Sequence, residues 1–144
     1  MMVINAENKI MGRIASYAAE QALLGQTVHI INSEKTLVTG PRAYNIENLA
    51  KHLDLTVKGN PLRSPKYSKM PDQILRICIR GMLPKKSLRG KAAWKRVRTY
   101  IGIPANLKDQ SIFDVPHANP NRHIKTMTLA ELSERMGAHF KVKA

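Results

Sequence analysis

Apolar residues recur along this chain with two periods, and the alternation between them predicts its elements. Met2-Val3-Ile4 is a short apolar run closed by Asn5 and predicts a buried strand. Met11, Ile14, Ala15, Ala18 and Ala22 follow at helical spacing, with Gly25 as the stop. Thr27-Val28-His29-Ile30-Ile31 is β-branched and nearly continuous, as in a strand covered on both faces. Thr36-Leu37-Val38 predicts a third strand. Gly40-Pro41 opens a second helix whose buried stripe is Ile46, Leu49, Ala50 and Leu53.

From Leu55 to Lys69 neither period holds. Gly59, Pro61 and Pro65 interrupt the backbone among Lys58, Arg63, Lys66 and Lys69, with Tyr67 between the charges, which predicts an extended basic arm or loop. Asp72, next to Pro71, starts a third helix with Leu75, Cys78, Ile79 and Met82 as its stripe, ended by Gly81 and Pro84. A fourth helix is expected over Leu88–Arg98, then a last strand at Thr99-Tyr100-Ile101. Pro104 to Lys125, with Pro116 and Pro120, reads as irregular. Thr128-Leu129-Ala130-Glu131 is a capping box before a helix with Leu129, Leu132 and Met136 inward and Gly137 as its stop. Strands alternating with helices indicate an α/β fold with a mainly parallel sheet between helical layers. The length fits one domain over residues 1–144, the arm at 55–69 lying within it.

Charge then narrows the function. The chain carries a net +14, and a field of that size draws polyanions. Residues 1–50 are balanced, with four basic and four acidic side chains, whereas residues 51–100 hold fourteen basic against two acidic. The middle third is therefore the expected binding surface. In the fourth helix Gly90, Ala93, Trp94 and Val97 stand at i, i+3, i+4 and i+7 and form the inward face. Arg89, Lys91, Lys95, Arg96 and Arg98 fill the remaining arc without an acid, a face that repels itself unless an anion neutralises it. Arg80 is expected to reach phosphate, with Lys85 and Lys86 joining the two basic helices, while Arg76 can pair with Asp72 one turn away. Tyr67 can stack on an unpaired base or pack against the domain. The candidate RNA-binding set is thus Lys58, Arg63, Lys66, Tyr67, Lys69, Arg80, Lys85, Lys86, Arg89, Lys91, Lys95, Arg96 and Arg98.

Catalytic readings find little support. Neither the dinucleotide-binding nor the P-loop glycine pattern occurs, so no cofactor is expected. Gly12-Arg13 after the first strand is either a phosphate-binding helix start or a plain turn. His29, His52, His117, His123 and His139 are scattered, and no metal site is expected; His29, in an apolar strand, reads as a core residue with its polar atoms satisfied. Cys78 is the single cysteine, which excludes an internal disulfide and suits a reducing cytoplasm; it reads as a small buried side chain. Apolar runs fall far short of the ~20 residues of a membrane span, and the amino terminus lacks a secretory pattern. An RNA-modifying enzyme would need a cofactor loop, and a nucleoid DNA-binding protein would prefer duplex DNA to RNA.

Several segments, taken in order, resemble the ribosomal protein L13 family. Val3-Ile4-Asn5-Ala6-Glu7 and Gly12-Arg13-Ile14-Ala15-Ser16 open the resemblance, followed by Ile31-Asn32-Ser33-Glu34-Lys35 with Thr39-Gly40. Arg80-Gly81-Met82-Leu83-Pro84 is its strongest part, and Gly90-Lys91-Ala92-Ala93 and Tyr100-Ile101-Gly102-Ile103-Pro104 continue it. The ending, Thr128 to Leu132 and Met136-Gly137, is similar to the archaeal and eukaryotic branch; nothing is carried over for residues 105–125. The resemblance implies a three-layer α/β/α fold around a four-stranded parallel sheet. It also implies a non-enzymatic, cytoplasmic protein of the large ribosomal subunit that binds large-subunit rRNA, contacts neighbouring ribosomal proteins and supports subunit assembly.

Overall fold

The computed structural model describes residues 1–108, 110–120 and 123–140. Its first unit is strand–helix–strand: β1 (Met2–Asn5), α1 (Met11–Leu23) and β2 (Val28–Ile31). β1 and β2 are parallel neighbours, with Ile4 opposite Ile30. There follow β3 (Leu37–Thr39), α2 (Arg42–Asp54), α3 (Pro71–Met82), α4 (Leu88–Arg96), β4 (Val97–Thr99), β5 (Ile112–Phe113), β6 (Thr126–Thr128) and α5 (Leu129–Arg135). The main sheet has the order β4-β2-β1-β5, and every pair in it is parallel.

The expected α/β class and four-stranded parallel sheet are present, although two strands fill unexpected places. β3 leaves the main sheet and pairs antiparallel with β6, Val38 opposite Met127. Gly40, at φ +116°, extends that ladder by donating its N–H to Lys125 O, and Leu129 N–H does the same to Thr36 O. The fourth strand of the main sheet is β5, from the stretch read as irregular. Its two residues are both exposed on an edge, too few to show a period. The fourth helix also stops at Arg96, two residues earlier than expected. Val97 turns extended at ψ 126° and pairs with Val28, so that the free edge of β2 satisfies the backbone of Val97–Thr99.

Alternation across the strands sends their side chains to two faces. Ile4, Val28, Ile30 and Val97 meet Ile14, Ala15 and Ala18 of α1 and Leu75 and Ile79 of α3, all in the main core. The alanines of α1 are small enough for both α3 and α4 to pack against it. Val3 and Ile31 point the other way, onto Leu107, with Tyr100 and Ile103 half-buried beside them. This second outer layer is thin, its helical part being the single 3₁₀ turn Ala105–Leu107. The stripe of α2 is only half-buried: Ile46, Leu49, Ala50 and Leu53 are partly exposed, because α2 packs over α5 at the margin of the core.

Polar side chains fasten the late loops. Gly12-Arg13 lies in the first turn of α1, and Arg13 donates to the carbonyls of His117 and Asn119. Lys9 pairs with Asp114 at 2.6 Å and donates to Asn119 Oδ1 at 2.7 Å. At α5, Thr128 Oγ1 accepts Glu131 N–H at 3.2 Å, as the capping box predicts. The Glu131 carboxylate meets Arg42 at 2.7 Å, which ties α5 to α2.

His29 sits half-buried in β2, its Nδ1 3.1 Å from Tyr100 Oη and its ring stacked on Tyr100 at 5.7 Å. Burial, and then the charge of Arg98 opposite it, lower its pKa below the ordinary histidine value. The neutral form is thus the folded form. Its contribution is present above the unfolded pKa, near 6.5, and is lost as pH falls toward the folded value. Thermal melts from pH 7.5 to pH 5 should show a steeper loss for the native chain than for His29→Gln; parallel curves would contradict this. Cys78 is half-buried on α3, where desolvation raises its thiol pKa and leaves it a poor nucleophile.

Candidate nucleic-acid interface

The corner between α3 and α4 is built by a close approach of backbone. Leu83 precedes a proline, which excludes the helical region for it; it is extended at ψ 148° and ends α3. Ser87 starts α4, its Oγ accepting Gly90 N–H at 3.1 Å and donating to Pro84 O at 3.3 Å. Gly90 itself packs directly on Pro84: a Cβ there would lie 2.0 Å from the proline carbonyl oxygen. α4 therefore meets the Leu83–Pro84 turn as closely as the two backbones allow.

This corner forms a groove of about 280 Å³. Leu83 and Trp94 supply its apolar lining, and Arg80, Lys85, Lys91 and Lys95 surround it without an acid. None of these four cations forms an ion pair among the described residues. Arg80 comes from the last turn of α3, Lys85 from the connection, and Lys91 and Lys95 from successive turns of α4, so residues far apart in the charge pattern converge here.

Trp94 serves two surfaces. Expected on the inward face, it does pack against the main core, but it is only half-buried and also lines the groove. The Arg76 guanidinium lies over its ring, 4.5 Å from the centroid, and that of Arg80 lies at 6.0 Å. Arg76 does not form the expected ion pair with Asp72, whose carboxylate accepts the Gln73 amide instead at 3.3 Å. Of the four apolar positions at i, i+3, i+4 and i+7, Gly90, Ala93 and Val97 are buried and Trp94 is half-buried.

The other candidates are distributed around and away from this groove. Lys86 and Arg89 are exposed beside it. Arg96 turns inward, donating to Ala22 O at 3.3 Å near the C-terminus of α1, where a cation complements the helix dipole. Arg98 is exposed on strand β4 and alternates with Val97, so it lies on the sheet face of His29, away from Lys91 and Lys95. In the arm Lys58, Arg63, Lys66 and Lys69 are exposed, around a short 3₁₀ turn Pro61–Arg63 capped by Asn60. Val57 N–H donates to Ser64 Oγ at 2.9 Å, and Tyr67 packs on His52 of α2 at 5.1 Å. Tyr67 thus rests on α2 while 39% of it stays exposed.

Leu62, 86% exposed, shows how little of the arm is docked. Limited proteolysis of the free chain should therefore cut first between Lys58 and Lys69, and assembly with RNA should protect that segment. Equal resistance in both states would mean that the arm is already fixed by the body.

Among the described residues no group of His, Cys, Asp and Glu could hold a metal ion, and no helix is long and apolar enough to cross a membrane. Residues 1–106 match the sequence model of the family described as Ribosomal protein L13. Proteins called large ribosomal subunit protein uL13 align over nearly the whole chain. That of Methanococcus maripaludis is 38% identical, covering 97% of this chain and 100% of the relative. That of Methanocaldococcus jannaschii is 40% identical with the same coverage, and that of Haloarcula marismortui is 40% identical over 96% and 92%. These relatives are archaeal, in keeping with the ending at Thr128–Gly137, and the alignments run through residues 105–125 as well. On the match of residues 1–106 and these near-complete alignments, the chain belongs to the ribosomal protein L13 family, in its archaeal form.

Proposed function

We propose that this chain, a structural constituent of the large ribosomal subunit, binds large-subunit rRNA through the α3–α4 corner and supports assembly of the subunit. The observation that carries the reading is the convergence of Arg80, Lys85, Lys91 and Lys95, none of them ion-paired among the described residues, around one aromatic groove. Lys86 and Arg89 extend that surface. The arm, with Lys58, Arg63, Lys66, Tyr67 and Lys69, provides a second contact that docks on RNA. Arg96 and Arg98 stand outside the corner surface, the first occupied by α1 and the second on another face. Neighbouring ribosomal proteins are the other partners of the reading.

Binding of an rRNA fragment at several salt concentrations tests it. Each neutralised phosphate should contribute roughly 0.7–0.9 log unit of affinity per tenfold change in salt. A flat salt response would overturn the electrostatic interface. Equal affinity for duplex DNA at physiological salt would favour a general nucleic-acid binder instead.

A further inference from the structure

We propose that the groove at the α3–α4 corner receives one unstacked nucleotide of the bound RNA chain, its base against Trp94 and Leu83 and its flanking phosphates on the surrounding cations. This rests on the RNA-binding reading above and goes further by naming what enters the groove. The lining argues for a base as well as a phosphate. A phosphate alone would lose hydration against Leu83 and the indole and gain nothing from them. A planar base gains stacking and apolar contact there, while Arg80, Lys85, Lys91 and Lys95 remain free for the backbone on either side. The size agrees: about 280 Å³ is at the lower end of ligand pockets and suits a single base. Bases paired inside a duplex cannot enter it, so the RNA must present a loop, bulge or single strand. The arginines also prepare the ring. With Arg76 held 4.5 Å over the indole, the ring is oriented before RNA arrives, and less freedom is lost on binding.

Trp94 is the only tryptophan of the chain, so its fluorescence reports on this groove. The native protein would be titrated at low salt with a single-stranded RNA decamer and with a decamer of the same charge whose sugars lack bases. The expected result is strong quenching by the first and little by the second, with roughly five- to hundredfold tighter binding of the base-bearing strand. Trp94→Leu should bring that preference close to one, followed by competition with a labelled strand. Trp94→Phe should keep part of it, and thermal melts confirm that both variants are folded. Equal binding of the two strands without quenching would overturn the base pocket while leaving the electrostatic interface in place. Failure of both strands to bind would overturn the RNA reading of this corner as well. Equal quenching by a free mononucleotide would make a soluble nucleotide the ligand, and equal quenching by polyglutamate would reduce the groove to a general anion site; either would refute the proposal.

Discussion

Gly90→Ala is expected to destabilise the chain by about 3 kcal/mol or more, although alanine is the better helix former by about 1 kcal/mol. The added methyl would sit 2.0 Å from Pro84 O and 2.8 Å from Pro84 C, both backbone atoms that no rotamer change can move. Relief requires that α4 withdraw from the Leu83–Pro84 turn, which breaks the Ser87 cap and opens the groove. Gly81→Ala is the control, since a Cβ there meets nothing within 4 Å. It should be neutral or stabilising by up to about 1 kcal/mol. Chemical denaturation of both variants measures the difference. A Gly90→Ala chain as stable as the native one would mean that the corner can relax, and that its tightness is not required.

The second large effect belongs to the four cations. Replacing Arg80, Lys85, Lys91 and Lys95 together by Gln should reduce the salt slope of rRNA binding by roughly three to four units. By the same counterion argument, affinity near 0.1 M salt should fall about a thousandfold. Folding should be unaffected or slightly strengthened, because the change removes like charges crowded on one corner. Arg96→Gln should behave in the opposite way. It removes the bond to Ala22 O and lowers the melting temperature, yet leaves the salt slope unchanged. Measuring melts and binding on the same samples separates the two roles. A quadruple variant with the native slope would move the RNA surface elsewhere, the arm being the next place to look.

Periodicity was a good guide wherever an element is long or sealed on both faces. β1, β2, α1 and α3 stand where their apolar patterns put them, although Met82, expected in the stripe of α3, is 43% exposed at the helix end. It failed where tertiary pairing decides. Val97-Arg98-Thr99 fits a helix end or a strand equally well, and the open edge of β2 made it a strand. β5 has two residues and no pattern of its own, and it exists because β1 offers an unpaired edge. The basic segment was visible as a charge imbalance, but its division was not. Arg96 and Lys95 are adjacent and chemically alike, and only the position of Ala22 O tells which one faces inward. Trp94 shows the same limit in part: an aromatic at helical spacing does pack on the core, but the arginines over its ring and the groove it lines follow only from the fold.

The pairing of early strands with late ones bears on how the chain folds during synthesis. β1, near the amino terminus, borders Ile112–Phe113, and β3 waits for Thr126–Thr128. Arg13 and Lys9 likewise find their partners at residues 114–119. A nascent chain that has reached residue 106 holds β1, β2, β4 and their helices, but one edge of β1 and the ladder partner of β3 are still missing. These strand pairs join residues some ninety to one hundred and ten positions apart, and such non-local pairing slows folding because loop closure precedes any gain. An emerging chain with exposed strand edges and a surplus of positive charge is prone to stray association. Early capture of the exposed basic corner by RNA, before the last strands arrive, would keep those edges apart while the sheet is completed.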